Sequence, residues 1–300
     1  MGGFVEGKVV VITGSGSGIG RDIALGFAAE GARVVVNDLG RDTSGVAFAE
    51  TVVSEIQSLG GEATASTASV ANWDAAQTIV EQAIDTFGQV DCVINNAGIV
   101  RDRFFFNMSV EEWHSVLDVH LNGSFNVARA AAPFFKTQGS GSYVHMTSSS
   151  GLIGNFGQAN YAAAKMGIVG LSKTIALDMA RFKVRSNCIT PWAWTSMTAT
   201  IPADTPENIA RIATLRKMES SKIAPLAIYL ASDSASSVSG QIFGVRANEI
   251  YLFSQPRILR SMQRSDGWTP QTIADHAMPA LASSFYENVP SLSVIPWDPV

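Results

Sequence analysis

Cysteine is nearly absent: Cys92 and Cys188 are the only two among 300 residues, and they stand far apart with no metal-ligand spacing. No disulfide framework and no cysteine-based metal site is expected, and both thiols sit in apolar runs that suit buried, free side chains in a reducing compartment. Long hydrophobic runs are missing too. The apolar segments extend over only about 5 to 8 residues between polar or glycine breaks, too short to span a bilayer. Met1–Lys8 lacks the basic start and long apolar stretch of a secretory signal. Nor is there an excess of basic residues: 21 Lys and Arg against 26 Asp and Glu leave a net charge of −5, which offers no electrostatic footprint for nucleic acid. These absences point to a soluble, cytoplasmic protein with no metal, no membrane span and no nucleic-acid partner. A hydrophobic content of 46% is ample for a buried core.

What the chain does contain is an alternation of short β-branched runs and helical patterns. The run Lys8–Thr13 enters Gly14-Ser-Gly-Ser-Gly-Ile-Gly20, and a helix pattern follows with Ile23, Ala24, Phe27 and Ala28 on one face. Strand, glycines, then helix is the context in which such a loop binds a nucleotide. Gly14, Ser17, Gly18, Ile19 and Gly20 bring backbone and a helix N-terminus up to a pyrophosphate. The next strand, Ala32–Asp38, ends in an acid 24 residues after Gly14. A carboxylate there accepts hydrogen bonds from ribose hydroxyls and repels a 2′-phosphate, so NAD is preferred over NADP, with Arg41 as the one nearby cation.

Further strands are expected near Ala63–Ser69, over Val90–Asn95, Ser142–Thr147, Arg185–Thr190 and Gly240–Val245. Helices are expected between them, including one from about Val110 through His120 to Phe134. Repeated βα units argue for a doubly wound parallel sheet in one domain, with ligands at the carboxyl ends of the strands. Asp38, Asn95, Ser148 and Pro191 all fall there. Asn95 and Asn96 either fix neighbouring strands or line the cofactor cleft. After Thr195 the pattern loosens through Ser220, as in a mobile substrate lid over about 196–221. Beyond Tyr251, residues 252–300 form an extension expected to pack on the core or on a neighbouring subunit, with one helix over Pro270–Leu281.

The chemistry concentrates between Ser148 and Lys165. Tyr161 and Lys165 are four apart at the start of a helical pattern, hence on one face, and a cation beside a phenol favours phenolate. With Ser148 holding a substrate oxygen, this group suits proton transfer to or from an alcohol while a cofactor carries the hydride.

Thr13-Gly-x-x-x-Gly-Ile-Gly20, Asn95-Asn-Ala-Gly98, Ser148 and Tyr161-x-x-x-Lys165, in this order, resemble the short-chain dehydrogenase/reductase family over roughly Phe4–Tyr251. The resemblance implies Tyr161 as general acid/base and Ser148 as the orienter of the substrate oxygen. Lys165 would lower the Tyr161 pKa and hold the nicotinamide ribose. Asn96, Ala97, Gly98, Pro191 and Thr195 would line the cofactor site, and Ser69 and Val70 the adenine pocket. Stretches such as Asn95–Arg103 and Gly154–Tyr161 are similar to one subgroup. It comprises the (3R)-hydroxyacyl-CoA dehydrogenase domain of multifunctional enzyme type 2 (17β-hydroxysteroid dehydrogenase type 4) and its bacterial relatives. That likeness implies oxidation of a 3-hydroxyacyl-CoA by NAD in a stand-alone enzyme. It also implies a homotetramer or homodimer built through the helices containing His120 and Tyr161.

Three departures stand out. His120 replaces a family Asn that acts largely through its backbone carbonyl, and it could add a second proton relay. Ser69 replaces an Asp, and Trp192 replaces the glycine after Pro191. Coenzyme A phosphates would need cations, for which Arg211, Arg216 and Lys217 are candidates. The rival substrate is a steroid or other bulky hydrophobic alcohol beside Trp192 and Trp194. The rival of another class is a catalytically silent NAD(H)-sensing regulator.

Overall fold

Parallel strands buried on both faces must be apolar along their length, and the β-branched runs of the first half meet that demand. In the computed structural model, which describes residues 3–194 and 204–300, β1 (Val9–Thr13), β2 (Arg33–Asn37) and β4 (Cys92–Asn95) are buried almost throughout. With β3 (Glu62–Ser66), β5 (Gly141–Met146), β6 (Val184–Trp192), β7 (Ile242–Arg246) and β8 (Glu249–Leu252) they form one sheet of order β3-β2-β1-β4-β5-β6-β7-β8. All pairings are parallel except β7 with β8.

Helices cover both faces. On one side α1 (Gly18–Ala29) contributes Ile23 and Phe27, α2 (Phe48–Ser58) Val52 and Ile56, and α9 (Ala224–Ala231) Leu226 and Leu230. On the other, α3 (Trp73–Phe87) contributes Ile79 and Val80, and α5 (Gly123–Gln138) Val127 and Phe135. There, α7 (Ala159–Asp178) packs Ile168 and Val169 against Cys188 and Ile242. This is the doubly wound α/β arrangement expected from the sequence. Cys92 and Cys188 are buried and unpaired. Among the described residues no helix is long and apolar enough to cross a membrane.

Three local expectations are corrected. The helix from Val110 runs on through His120 to Gln138 but is not α-helical throughout: α4 (Val110–Leu117) passes into a π-helical turn at Asp118–Asn122 before α5 begins. That turn widens the backbone at His120, whose carbonyl accepts a bond from Ser124 Oγ at 2.6 Å. Strand β6 continues through Pro191 and Trp192, so Pro191 lies inside the sheet, opposite Val245, and not beyond its end. The stretch after Thr195 includes a helix, α8 (Pro206–Arg216), where only loose structure was expected.

Beyond β8 the chain continues into α10 (Pro270–Thr272), a π-helical turn at Ile273–Ala277 and α11 (Met278–Ala282). Nearest Ser148, the short α6 (Ser149–Leu152) follows β5.

The ring of Phe135 is fully buried against Tyr143, 4.9 Å between centroids, far from the carboxyl ends of the strands. Truncation to Phe135→Ala should cost about 3–5 kcal/mol of stability, read as a lower urea midpoint.

Candidate active site

The strand order reverses between β1 and β4, leaving a crevice beyond their carboxyl ends. The glycine loop lies there. Gly14 and Gly18 adopt φ of +62° and +52°, which side-chain-bearing residues resist. A Cβ on Gly14 would sit 2.6 Å from Ala97 Cα, so the loop touches the chain leaving β4. Ser17 caps α1 in an extended conformation without a side-chain bond to the first-turn amides, and no acid stands in that turn. Gly18 faces open space. Ile19 turns the other way and packs on the core, and Gly20 is buried.

Asp38 follows β2. Its Oδ2 accepts from Gly16 N at 2.9 Å and its Oδ1 from Gly40 N at 2.7 Å. Each oxygen keeps acceptor capacity for a ribose hydroxyl. Arg41 is engaged elsewhere, donating to the Gly45 carbonyl at 2.9 Å. Beyond β3, Ser69 Oγ accepts from Ala71 N at 3.3 Å, and buried Val70 packs over Gly123.

The two asparagines have structural partners. Asn96 Nδ2 donates to the carbonyls of Thr13 at 3.1 Å and Gly14 at 2.8 Å. Thr13 Oγ1 accepts from the amides of Asn96 and Ala97, each at 3.1 Å. Asn95 Nδ2 reaches the Ser124 carbonyl at 3.3 Å and His145 Nδ1 at 3.1 Å. Gly98 leaves room for the imidazole of His120, which any Cβ at position 98 would strike.

His120 is buried, its Nε2 3.0 Å from the Ile99 amide and 2.8 Å from the Ile99 carbonyl. Its Nδ1 is buried without a protein partner. Burial first, and the charge of Lys165 second, push its pKa down to about 3, so the ring is neutral at physiological pH. Its ring meets that of Tyr161 edge-on at 5.2 Å.

Ser148 caps α6, its Oγ accepting from Ser150 N at 3.1 Å, and its hydroxyl stands near enough to the phenol of Tyr161 to pull that group's pKa down. Asn160 fixes the start of α7: Oδ1 accepts from Tyr161 N at 2.7 Å, and Nδ2 donates to the carbonyls of Arg101 and Glu112 at 3.0 Å. One turn on, the buried ammonium of Lys165 donates to the Met146 carbonyl at 2.6 Å and lies 5.5 Å from the centroid of the Tyr161 ring. The expected lowering of the phenol pKa is not what this arrangement produces. Burial raises Tyr161 above its ordinary value, and the Ser148 hydroxyl opposes that only in part. Lys165 itself is lowered to about 7 by burial. An ammonium that close to losing its proton favours phenolate only weakly.

Asn160 and His145 were not singled out from sequence. For Asn160, the second residue of α7, the sequence offers only the weak signal of a polar side chain near a helix start. His145, on a strand, had none. Thr195 lies outside the described residues, as does the side chain of Arg211. Of the other two candidate cations, Arg216 stacks on Trp194 at 5.9 Å and Lys217 is exposed. Trp192 packs on Phe253 and Tyr251 at 6.3 and 5.9 Å between centroids.

The structure thus gathers Ser148, Tyr161, Lys165 and His120 at one end of the sheet, beside the glycine loop. The sequence profile of the short chain dehydrogenase family matches residues 8–206. This chain belongs to that family. The dehydrogenase is 47% identical over 233 residues to a short-chain type dehydrogenase/reductase of Mycobacterium tuberculosis, covering 76% of this chain and 79% of that one. It is 41% identical to mouse peroxisomal multifunctional enzyme type 2 over 90% of its own length, yet spans only 36% of that enzyme. With a hydroxyacyl-CoA dehydrogenase of M. tuberculosis it shares 38% identity over 89% of this chain and 86% of the other. A crystal structure of a short chain dehydrogenase from Mycobacterium avium superposes with a TM-score of 0.84 at 37% identity, covering 96% and 99% of the two chains. The dehydrogenase is therefore an oxidoreductase acting on CH–OH groups.

Burial of Lys165 has a measurable consequence. Below pH 7 folded and unfolded chains both carry the charge, and its burial cost is full. Between about pH 7 and 10.5 only the unfolded chain binds the proton, so stability from this group rises with pH. Melting curves of the cofactor-free dehydrogenase should show this rise relative to Lys165→Met, with the difference between the two levelling off, at its least favourable to the wild type, as pH falls below 7.

Proposed function

We propose that the protein interconverts a 3-hydroxyacyl-CoA and a 3-ketoacyl-CoA using NAD, in the cytoplasm and as a homodimer or homotetramer. The observation that carries the reaction is the gathering of the Ser148 hydroxyl, the Tyr161 phenol and the Lys165 ammonium, the last 5.5 Å from the centroid of the Tyr161 ring, at the strand ends that also hold the glycine loop. The relatives named for multifunctional enzyme type 2 and hydroxyacyl-CoA dehydrogenase support the substrate.

The residues present suit a dinucleotide. The uncapped start of α1 and the open space at Gly18 offer amides to a pyrophosphate, and Asp38 offers a carboxylate to the adenosine ribose. Ser69 and Val70 would flank the adenine. Asn96, Ala97, Gly98, Pro191 and Thr195 would border the rest of the cofactor, with Lys165 at the nicotinamide ribose. Asp38, with Arg41 engaged at Gly45, favours NAD over NADP. Bound there, the nicotinamide supplies a hydride acceptor or donor.

The chain's own residues handle the proton. In oxidation Tyr161 Oη, as phenolate, takes the proton from the substrate hydroxyl while Ser148 Oγ holds the same oxygen. In reduction Tyr161 returns that proton to the developing alkoxide. Because burial raises the phenol, the protein at neutral pH holds Tyr161 protonated, ready to donate. Neutral His120 contributes its carbonyl and its ring contact to Tyr161, not an acidic proton. Oligomer contacts through α5 and α7 would cover Phe125, Met166 and Leu177, all exposed in the single chain.

Tyr161→Phe should lower kcat by at least ~100-fold while NADH still binds, as judged by its fluorescence; near-normal turnover would rule out this mechanism. In the wild-type protein kcat/KM for oxidation should climb with pH through the neutral range, while reduction holds level until the phenol begins to lose its proton. Asp38→Asn should narrow the ratio of kcat/KM for NAD over NADP. The first assay is NADH production with 3-hydroxyacyl-CoAs, steroid alcohols and simple secondary alcohols side by side. Activity on steroids alone would replace the substrate assignment, and binding of NADH with no turnover of any alcohol would favour a sensor.

A further inference from the structure

The segment that follows β4 is strapped to the chain just before Tyr161 by three bonds. Arg103 N donates to the Gly157 carbonyl at 2.8 Å, beside a parallel bridge between Arg103 and Gln158. Asn160 Nδ2 donates to the Arg101 carbonyl at 3.0 Å. Between them, Gln158 Nε2 donates to Asp102 Oδ2 at 2.9 Å, while Gln158 Oε1 accepts from Asn155 Nδ2 at 3.2 Å. Gln158 is the cap residue of α7, three positions before Tyr161. Side chains three apart at a helix start are neighbours, ~5–6 Å between Cβ atoms. The strap therefore sets a carboxylate beside the first turn of α7, about one turn from the phenol.

Asp102 lies between two arginines in sequence, yet neither pairs with it. Arg103 is bonded to Glu112 at 3.1 Å, and Arg101 donates to the Val100 carbonyl at 2.8 Å. Among the described residues no cation stands within ion-pair distance of Asp102. A neutral amide holds the carboxylate in place without cancelling its charge.

On α7 and the elements packed against it, few other charges act at the Tyr161 end. His120 on the π-helical turn and His145 on β5 are neutral at physiological pH, both pushed down to about 3 by burial. Cys188 on β6 stays a thiol, pushed up to about 11 by burial. On α4 the charge of Glu112 is matched by Arg103, and Glu111 and His114 are exposed. Asp118 accepts from Asn122. That leaves Lys165, which favours phenolate, and Asp102, which opposes it. Burial is the largest cause lifting the Tyr161 phenol above its ordinary value, the Ser148 hydroxyl opposes it, and the charge of Asp102 adds to the lift.

We infer that Asp102, held by Gln158, is a positioning residue whose uncancelled charge disfavours the phenolate of Tyr161 and so moves alcohol oxidation to higher pH. The inference rests on the proposed role of Tyr161 in proton transfer, not on which alcohol is the substrate. Asp102 is exposed, so salt screens its influence, which is largest at low ionic strength.

The test uses the full chain and the variants Asp102→Asn and Asp102→Glu. Asparagine keeps an oxygen for Gln158 and removes only the charge. The pH dependence of kcat/KM is measured in both directions with an alcohol that the wild-type protein turns over and its ketone, at low ionic strength and in about 1 M salt. For Asp102→Asn the rising limb of oxidation should move to lower pH, a gain of ~3-fold at a fixed pH on that limb at low salt, and the falling limb of reduction should move the same way. High salt should abolish the difference, and Asp102→Glu should keep the wild-type limbs. Unmoved limbs in Asp102→Asn overturn the inference. So does an equal change at every pH, a displacement that survives high salt, or one that Asp102→Glu shares, since each marks a contact and not a charge. Near-normal turnover by Tyr161→Phe is a separate result: it removes the proposed proton transfer itself, whatever the limbs of Asp102→Asn do.

Discussion

Where β1 and β4 part at the switch point, their last backbone groups have no ladder partner, and buried polar groups without partners are costly. The side chains of Thr13 and Asn96 close that gap. Two carbonyls on the β1 side accept from one amide side chain, and one hydroxyl accepts from two successive backbone amides. This lock sets the glycine loop against the Ala97–Gly98 turn. The turn in turn leaves room for His120, whose ring abuts Tyr161. The glycine loop and the group of Ser148, Tyr161 and Lys165 thus share one junction.

Burial governs the electrostatics around that junction. Lys165, His120 and Tyr161 all lose water, and each moves toward its neutral form. His145, buried behind Asn95, behaves likewise, its pKa pushed down to about 3. The ammonium of Lys165 spends its shortest bond on the Met146 carbonyl, so it acts on Tyr161 as a nearby charge, not as a hydrogen-bond donor to the phenol.

The β6–β8 end of the sheet is built differently from the glycine-loop end. At the glycine loop, backbone turns and short polar side chains at strand ends set the geometry. At the other end, contacts distant in sequence dominate: Gly154 with Ser291, Arg246 and Glu249 with Trp297, and Trp192 with Tyr251 and Phe253.

The sequence alone determined the doubly wound sheet, the glycine loop and the Ser148, Tyr161 and Lys165 group. Those features arise from local rules: apolar runs that suit buried strands, glycines where φ is positive, and a four-residue spacing on a helix. It did not reveal the π-helical turn at His120, because a widened turn keeps the same apolar pattern as the helix around it. Nor did it show that β6 runs on through Pro191, that Glu249–Leu252 adds an antiparallel strand, or that Ser291 and Trp297 return to the body. The protonation preferences of Tyr161 and Lys165 were also out of reach, since the spacing that brings a cation beside a phenol says nothing about how much water each loses. Only the tertiary structure decided these points, because pairing across long stretches of chain and exclusion of solvent are properties of the packed molecule.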